Sequence, residues 1–243
     1  DNSIRNGTWN WWFSSGEKIS ISYYEGGKLL PIGIDWYRNG RPKKKTVQID
    51  QGRFLEQSWY ESGIMEEETI FKPTGREMTH LVEFFGTHKT WFPSGSIASQ
   101  VVYNDIGELK TETYFYQNGK KRSEKIASED GYDATCSEWF ESGQLALEGE
   151  YRYENSDEHG LVTKWYENGN IEQQAYYSFG TLEGLYKDYY ESGTLKTKTL
   201  YKNGKKYGLY TSYYSSGEKK IAGVFSEEGE LVGNYRFYKL DGS

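Results

Sequence analysis

Residues 184–217 read GLYKDYYESGTLKTKTLYKNGKKYGLYTSYYSSG, and the segment states one phrase twice: GLYKDYYESG returns as GLYTSYYSSG twenty-four residues later. Self-similarity at a fixed step marks a repeat array, in which each unit buries its faces only against its neighbours. The core of the phrase, aromatic-aromatic-x-x-Gly, ends at Gly16, Gly40, Gly63, Gly95, Gly119, Gly143, Gly169, Gly193 and Gly217. A last copy with one extra residue ends at Gly242. The steps between these glycines are 24, 23, 32, 24, 24, 26, 24, 24 and 25 residues.

A second set of glycines halves the period. Gly27, Gly52, Gly75, Gly107, Gly131, Gly180, Gly204 and Gly229 each fall 11 or 12 residues after a main glycine. Turn signals at that spacing, separated by aromatic and β-branched runs, predict short strands joined in series. Asn-Gly and Ser-Gly supply the positive φ that tight turns require. Each unit is therefore expected to be one β-hairpin. The whole chain, 1–243, reads as a single array, regular over 96–243 and irregular over 64–95. About ten hairpins make roughly 20 strands of an elongated, single-layer antiparallel meander without helices, coiling into a twisted half-pipe.

Side-chain alternation assigns the faces. Counting from each main glycine, offset two is aliphatic (Ile97, Leu145, Ile171, Leu195), and offset eight is aromatic (Tyr24, Phe71, Tyr103, Tyr151, Tyr177, Tyr201, Phe225). Offset six is small or slim: Ser22, Thr69, Val101, Gly149, Ala175, Thr199, Gly223. A small residue beside recurrent rings leaves room for a neighbouring strand's ring. Odd offsets carry Glu172, Lys196 and Lys198, which predicts a charged opposite face.

The same segment, 184–217, resembles the bacterial variant of the MORN repeat (membrane occupation and recognition nexus), whose arrays are typical of the YwqK-type antitoxin family. The likeness covers Gly7 to Gly242 and is clearest from residue 139 onward. It implies a single-layer antiparallel sheet and pairing with a toxin. Its glycines and aromatics are architectural and carry no active site. The family's link to membrane lipid comes from related eukaryotic repeats.

Function in a repeat protein sits where copies differ. The 32-residue step before Gly95 holds about eight extra residues, with His80, Phe84, Phe85, His88 and Trp91, and these five are the expected partner-binding set. Two further copies place lysines where the aliphatic and aromatic face is expected: Lys43, Lys44 and Lys45 in the second, Lys120, Lys121, Arg122 and Lys125 in the fifth.

Composition narrows the function. The 243 residues include 23 Tyr, 11 Phe and 8 Trp but 4 Pro, so the packing must be aromatic. A net charge of −7 and a pI near 5.2 argue against nucleic acid and against anionic membrane lipid as partners. No apolar run approaches the ~18 residues of a membrane span. The single cysteine, Cys136, excludes an internal disulfide. His80 and His88 lack the spacing of a metal motif, Glu66–Glu68 lack that of a calcium loop, and no helix stands behind a phosphate-binding loop. The expectation is a protein without cofactor, metal or catalytic residues that binds another protein. The resemblance makes that partner a toxin, and a basic toxin surface would suit the acidic chain. The alternative is a cell-surface or secreted scaffold of the same fold. A monomer is expected, edge-to-edge addition being the competing outcome. The chain starts at Asp1, so the compartment stays open: cytoplasmic for an antitoxin, secreted or cell surface if a leader was trimmed.

Overall fold

The computed structural model describes residues 4–74, 82–152 and 157–239. It falls into two compact units, residues 1–120 and 121–243. The first contains β1 (Gly7–Trp12), β2 (Lys18–Glu25), β3 (Lys28–Trp36), β4 (Pro42–Gln48), β5 (Phe54–Trp59), β6 (Met65–Pro73), β7 (Val82–Trp91), β8 (Ile97–Tyr103) and β9 (Leu109–Phe115). The second contains β10 (Lys121–Ala127), β11 (Asp133–Trp139), β12 (Leu145–Arg152), β13 (Glu158–Trp165), β14 (Ile171–Ser178), β15 (Thr181–Tyr189), β16 (Leu195–Lys202), β17 (Lys205–Tyr213), β18 (Lys219–Phe225) and β19 (Arg236–Phe237). Within each unit every strand pairs antiparallel with the next. No helix occurs among the described residues. Each unit is an all-β meander, as the spacing of the turn glycines requires.

The main turns share one geometry. In the turn at Gly193, the Gly193 N–H donates to the Tyr190 carbonyl and the Tyr190 N–H donates to the Thr194 carbonyl, both at 2.8 Å. Gly193 sits at φ 85°, a conformation that glycine adopts without a Cβ clash. The second aromatic of the pair thus opens the turn and the glycine closes it.

The half-period turns come in two kinds, which the even spacing conceals. Gly26-Gly27, Phe179-Gly180 and Asn203-Gly204 are two-residue loops with φ positive at both positions, the type I′ geometry that matches strand twist. Other half-turns, such as Asn104–Gly107, are longer and close with a hydrogen bond from the glycine N–H. A two-residue loop returns the chain early, so the strand after it carries extra residues. In β15 the register passes from Tyr177↔Leu182 to Ala175↔Tyr186, four residues against two. Gly184 lies in that bulge at φ 86°, and Gly208 occupies the matching place in β17 at φ 66°. The bulge absorbs the surplus and keeps the period constant. The glycine that seems to open a strand in GLYKDYY is therefore a bulge residue inside one.

A test follows from the backbone. At Gly184 a Cβ would meet only Tyr176 Cβ, at an ordinary 3.6 Å, so space is not limiting. Gly184→Val is expected to lower stability by about 1–2 kcal/mol through the left-handed φ alone. Gly184→Asn should recover much of that, since Asn tolerates this region. Equal losses for both in urea unfolding would show that crowding, and not φ, governs the site.

The packed face follows the expected order. Ala175 is 0% exposed and Thr199 1%, and Tyr186 lies opposite both in the ladder. Tyr186 meets Tyr201 edge-on with ring centroids 5.6 Å apart. Tyr210, opposite Gly223, meets Phe225 in the same way at 6.1 Å. The small residue is what lets the neighbour's ring lie down. Gly149 shows how little room remains, because a Cβ there would stand 2.8 Å from Val162 Cγ2. Burial also pushes the Tyr151 hydroxyl up to about 12.

At one end of the first unit, Trp9 and Trp11 stack with centroids 6.4 Å apart, as their shared face predicts. Both stay more than a third exposed, so they do not close a core, and Phe13 belongs to the turn beyond them.

Candidate functional site

The β6–β7 hairpin carries four of the five residues expected to bind a partner; His80 lies outside the described residues. The hairpin does not present them as one surface. Phe84 and His88 are on the packed face, where the Phe84 ring stacks on Tyr103 (5.6 Å) and on His88 (5.7 Å). His88 Nε2 lies 2.9 Å from Glu67 Oε1. That contact holds the Glu67 carboxyl below the usual carboxylate range, against the opposing effect of burial. Phe85 points to the opposite face and is 8% exposed. It sits across from Ile70 with the Arg53 guanidinium 5.8 Å above its ring. Trp91 is half-buried at the end of β7, and its carbonyl accepts the Tyr60 hydroxyl at 2.8 Å. Phe85, expected in the partner-binding set, is instead a buried packing ring.

The lysine-rich second copy is also corrected in detail. Only Lys44 of its three lysines shares the packed face, where it pairs with Glu56 at 2.6 Å. Thr46, two residues on, keeps the small buried position. Asp35 stands opposite Lys44, and burial pushes its carboxyl above the usual range despite that neighbour. With Glu67 and Glu112, these residues give the packed face of the first unit an acidic row.

An exposed apolar row lies on the opposite face of the second unit. Leu161 faces Tyr176, Leu185 faces Leu200, and Leu209 faces Val224, one side chain from each of β13 to β18. The bulges join these pairs into one row, since Gly184 lies against Tyr176 and Gly208 against Leu200. Leu161, Gln174, Tyr176, Leu185 and Lys187 line a shallow pocket at one end. Tyr176 is 46% exposed, Leu200 38% and Leu209 61%. An apolar row held open on a hydrogen-bonded sheet is what an interaction surface looks like.

The comparisons bear on these same strands. The family model described as the MORN repeat variant matches residues 86–105, 158–178 and 182–203. The second and third of these segments hold β13 to β16, the strands that carry most of the row. Three stretches of the chain are thus similar to the MORN repeat variant. No curated protein matches the chain by direct sequence comparison. MORN repeats are generally protein- or membrane-binding repeats. Among the described residues, no three His, Cys, Asp or Glu side chains gather into a group that could hold a metal ion.

The signal for the row was present in the sequence of the repeat units. Offset seven from the main glycine holds Val47, Ile70, Val102, Tyr176, Leu200 and Val224, as consistently apolar as the ring at offset eight. Charges at offsets three and five concealed it, because they made the whole odd face read as polar. Glu150 interrupts the series at the twelfth strand.

Proposed function

We propose that this protein is a non-catalytic binding protein that holds a protein partner against the exposed row of its second unit. The row from Leu161 to Val224 carries the reading, because large apolar side chains stand exposed on five of six successive strands, with Leu185 half-buried between them and no covering layer among the described residues. The finer reading is an antitoxin that neutralises a cognate toxin. The family resemblance supports it, as does the acidic row of the first unit (Asp35, Glu56, Glu67 and Glu112), which suits a basic toxin surface. The competing reading is a scaffold built by edge-to-edge addition. β1 favours it, since GTWNWW has no charged residue and no proline and pairs only with β2 among the described residues of its unit.

The double variant Leu200→Asp, Leu209→Asp tests the proposal. Both side chains are exposed, so the unfolding curve should stay within about 1 kcal/mol of the parent. Proteins captured by the parent should be lost from the variant. Identical capture by both, with both folded, would rule out the row as the binding surface. A mass in light scattering that grows with concentration would favour the scaffold.

A further inference from the structure

Beside the apolar row, two residues along each strand, Lys187 of β15 and Lys198 of β16 stand directly opposite each other. Like charges placed opposite on neighbouring strands repel. Neither lysine makes an ion pair among the described residues. Their ladder neighbours on either side, Gln174 and Thr211, are neutral. The patch on β15 and β16 beside the apolar row is thus locally basic, although the chain as a whole carries −7. At contact distance the local charge decides, because more distant charges are screened beyond ~8 Å at physiological salt.

We propose that the row binds an acidic amphipathic helix lying across the strands, its carboxylates seated on Lys187 and Lys198. This inference rests on the protein-binding reading above. Spacing selects the helix. Six strands at ~4.8 Å place one apolar side chain per step along ~24 Å. An amphipathic helix repeats its apolar residues at i+3 and i+4, a rise of about 4.5–6 Å, so three or four turns keep step with the sheet. An extended peptide repeats its face every ~6.7 Å and a polyproline helix every ~9.3 Å, and both lose register after one or two strands. A lysine pair facing itself, with no ion-pair partner among the described residues, calls for an anionic flank on the occupant. A lipid surface would also meet lysines and leucines, but one narrow row gives it little area, and the net charge of −7 opposes approach to an anionic bilayer.

The probe is a fluorescein-labelled helical peptide of about four turns, with leucines at helical spacing and glutamates along one flank. A second peptide keeps the leucines and replaces the glutamates with lysines. Anisotropy should show the acidic peptide binding at least ~10-fold tighter, a difference of about 1.4 kcal/mol. Lys187→Gln with Lys198→Gln should abolish that preference without changing the unfolding curve. Equal affinity for the two peptides, or binding of neither, overturns the inference. So does sedimentation with phosphatidylserine vesicles when neither peptide binds. If Leu200→Asp, Leu209→Asp still abolishes protein capture while the peptides are not distinguished, the protein-binding reading stands and the acidic helix falls.

Discussion

Phe85→Ala is expected to lower the stability of the first unit by about 3–4 kcal/mol, as removal of a buried ring does when the site cannot collapse. The ring is 8% exposed, lies across from Ile70, and would stand 3.8 Å from a Cβ placed on Gly107. Glycine offers no side chain to fill the space that a missing ring leaves, so the cavity would persist. Phe84→Ala, on the other face, should do less, because that ring is only half-buried between Tyr103 and His88. Urea unfolding of the two variants measures the difference. A loss below about 1 kcal/mol for Phe85→Ala would mean that the ring is a surface group, and would return it to the binding set.

Phe85 also shows where sequence reasoning stopped. The strands, their order and the packed face were legible because three periodic signals agreed: glycine every half-period, a small residue at offset six and a ring at offset eight. Ala175, Thr199 and Tyr201 fell where those signals put them. Phe84-Phe85 and the histidines sit in the most irregular step, where the offsets no longer name a residue's neighbours. A bulge there sets four residues against two, from Glu68↔Lys89 to Ile70↔Phe85, so Phe85 keeps the face of Lys89 but lies across from Ile70. The same effect hid the bulge role of Gly184 and Gly208, because a two-residue loop plus a bulge keeps the period of a longer loop without one. The exposed row escaped for a different reason. Parity was correct there, but charges at two of the three odd offsets stood in for the whole face.

The last expectation concerns the second aromatic of each pair, whose role composition alone does not explain. Tyr166 donates its hydroxyl to the Tyr189 carbonyl at 2.8 Å, Tyr190 to Tyr213 at 2.9 Å, and Tyr214 to Tyr238 at 3.1 Å. The first two bonds join a turn to the first aromatic of the next copy, as Tyr37 and Tyr60 do in the first unit, and the third reaches the second aromatic of the irregular last copy. Burial raises the hydroxyls of Tyr37, Tyr60 and Tyr166 above the ordinary phenol value, so they remain protonated donors through neutral pH. The triple variant Tyr166→Phe, Tyr190→Phe, Tyr214→Phe keeps every ring and removes three bonds. At about 1 kcal/mol each, and additive because the bonds lie one repeat apart, the second unit should lose about 3 kcal/mol. Phe140 occupies the same turn position without a hydroxyl. Phe140→Tyr should therefore gain up to about 1 kcal/mol by reaching the Trp165 carbonyl. Chemical unfolding of both variants decides between bond and ring: an unchanged triple variant would mean that the ring alone earns the tyrosine its place.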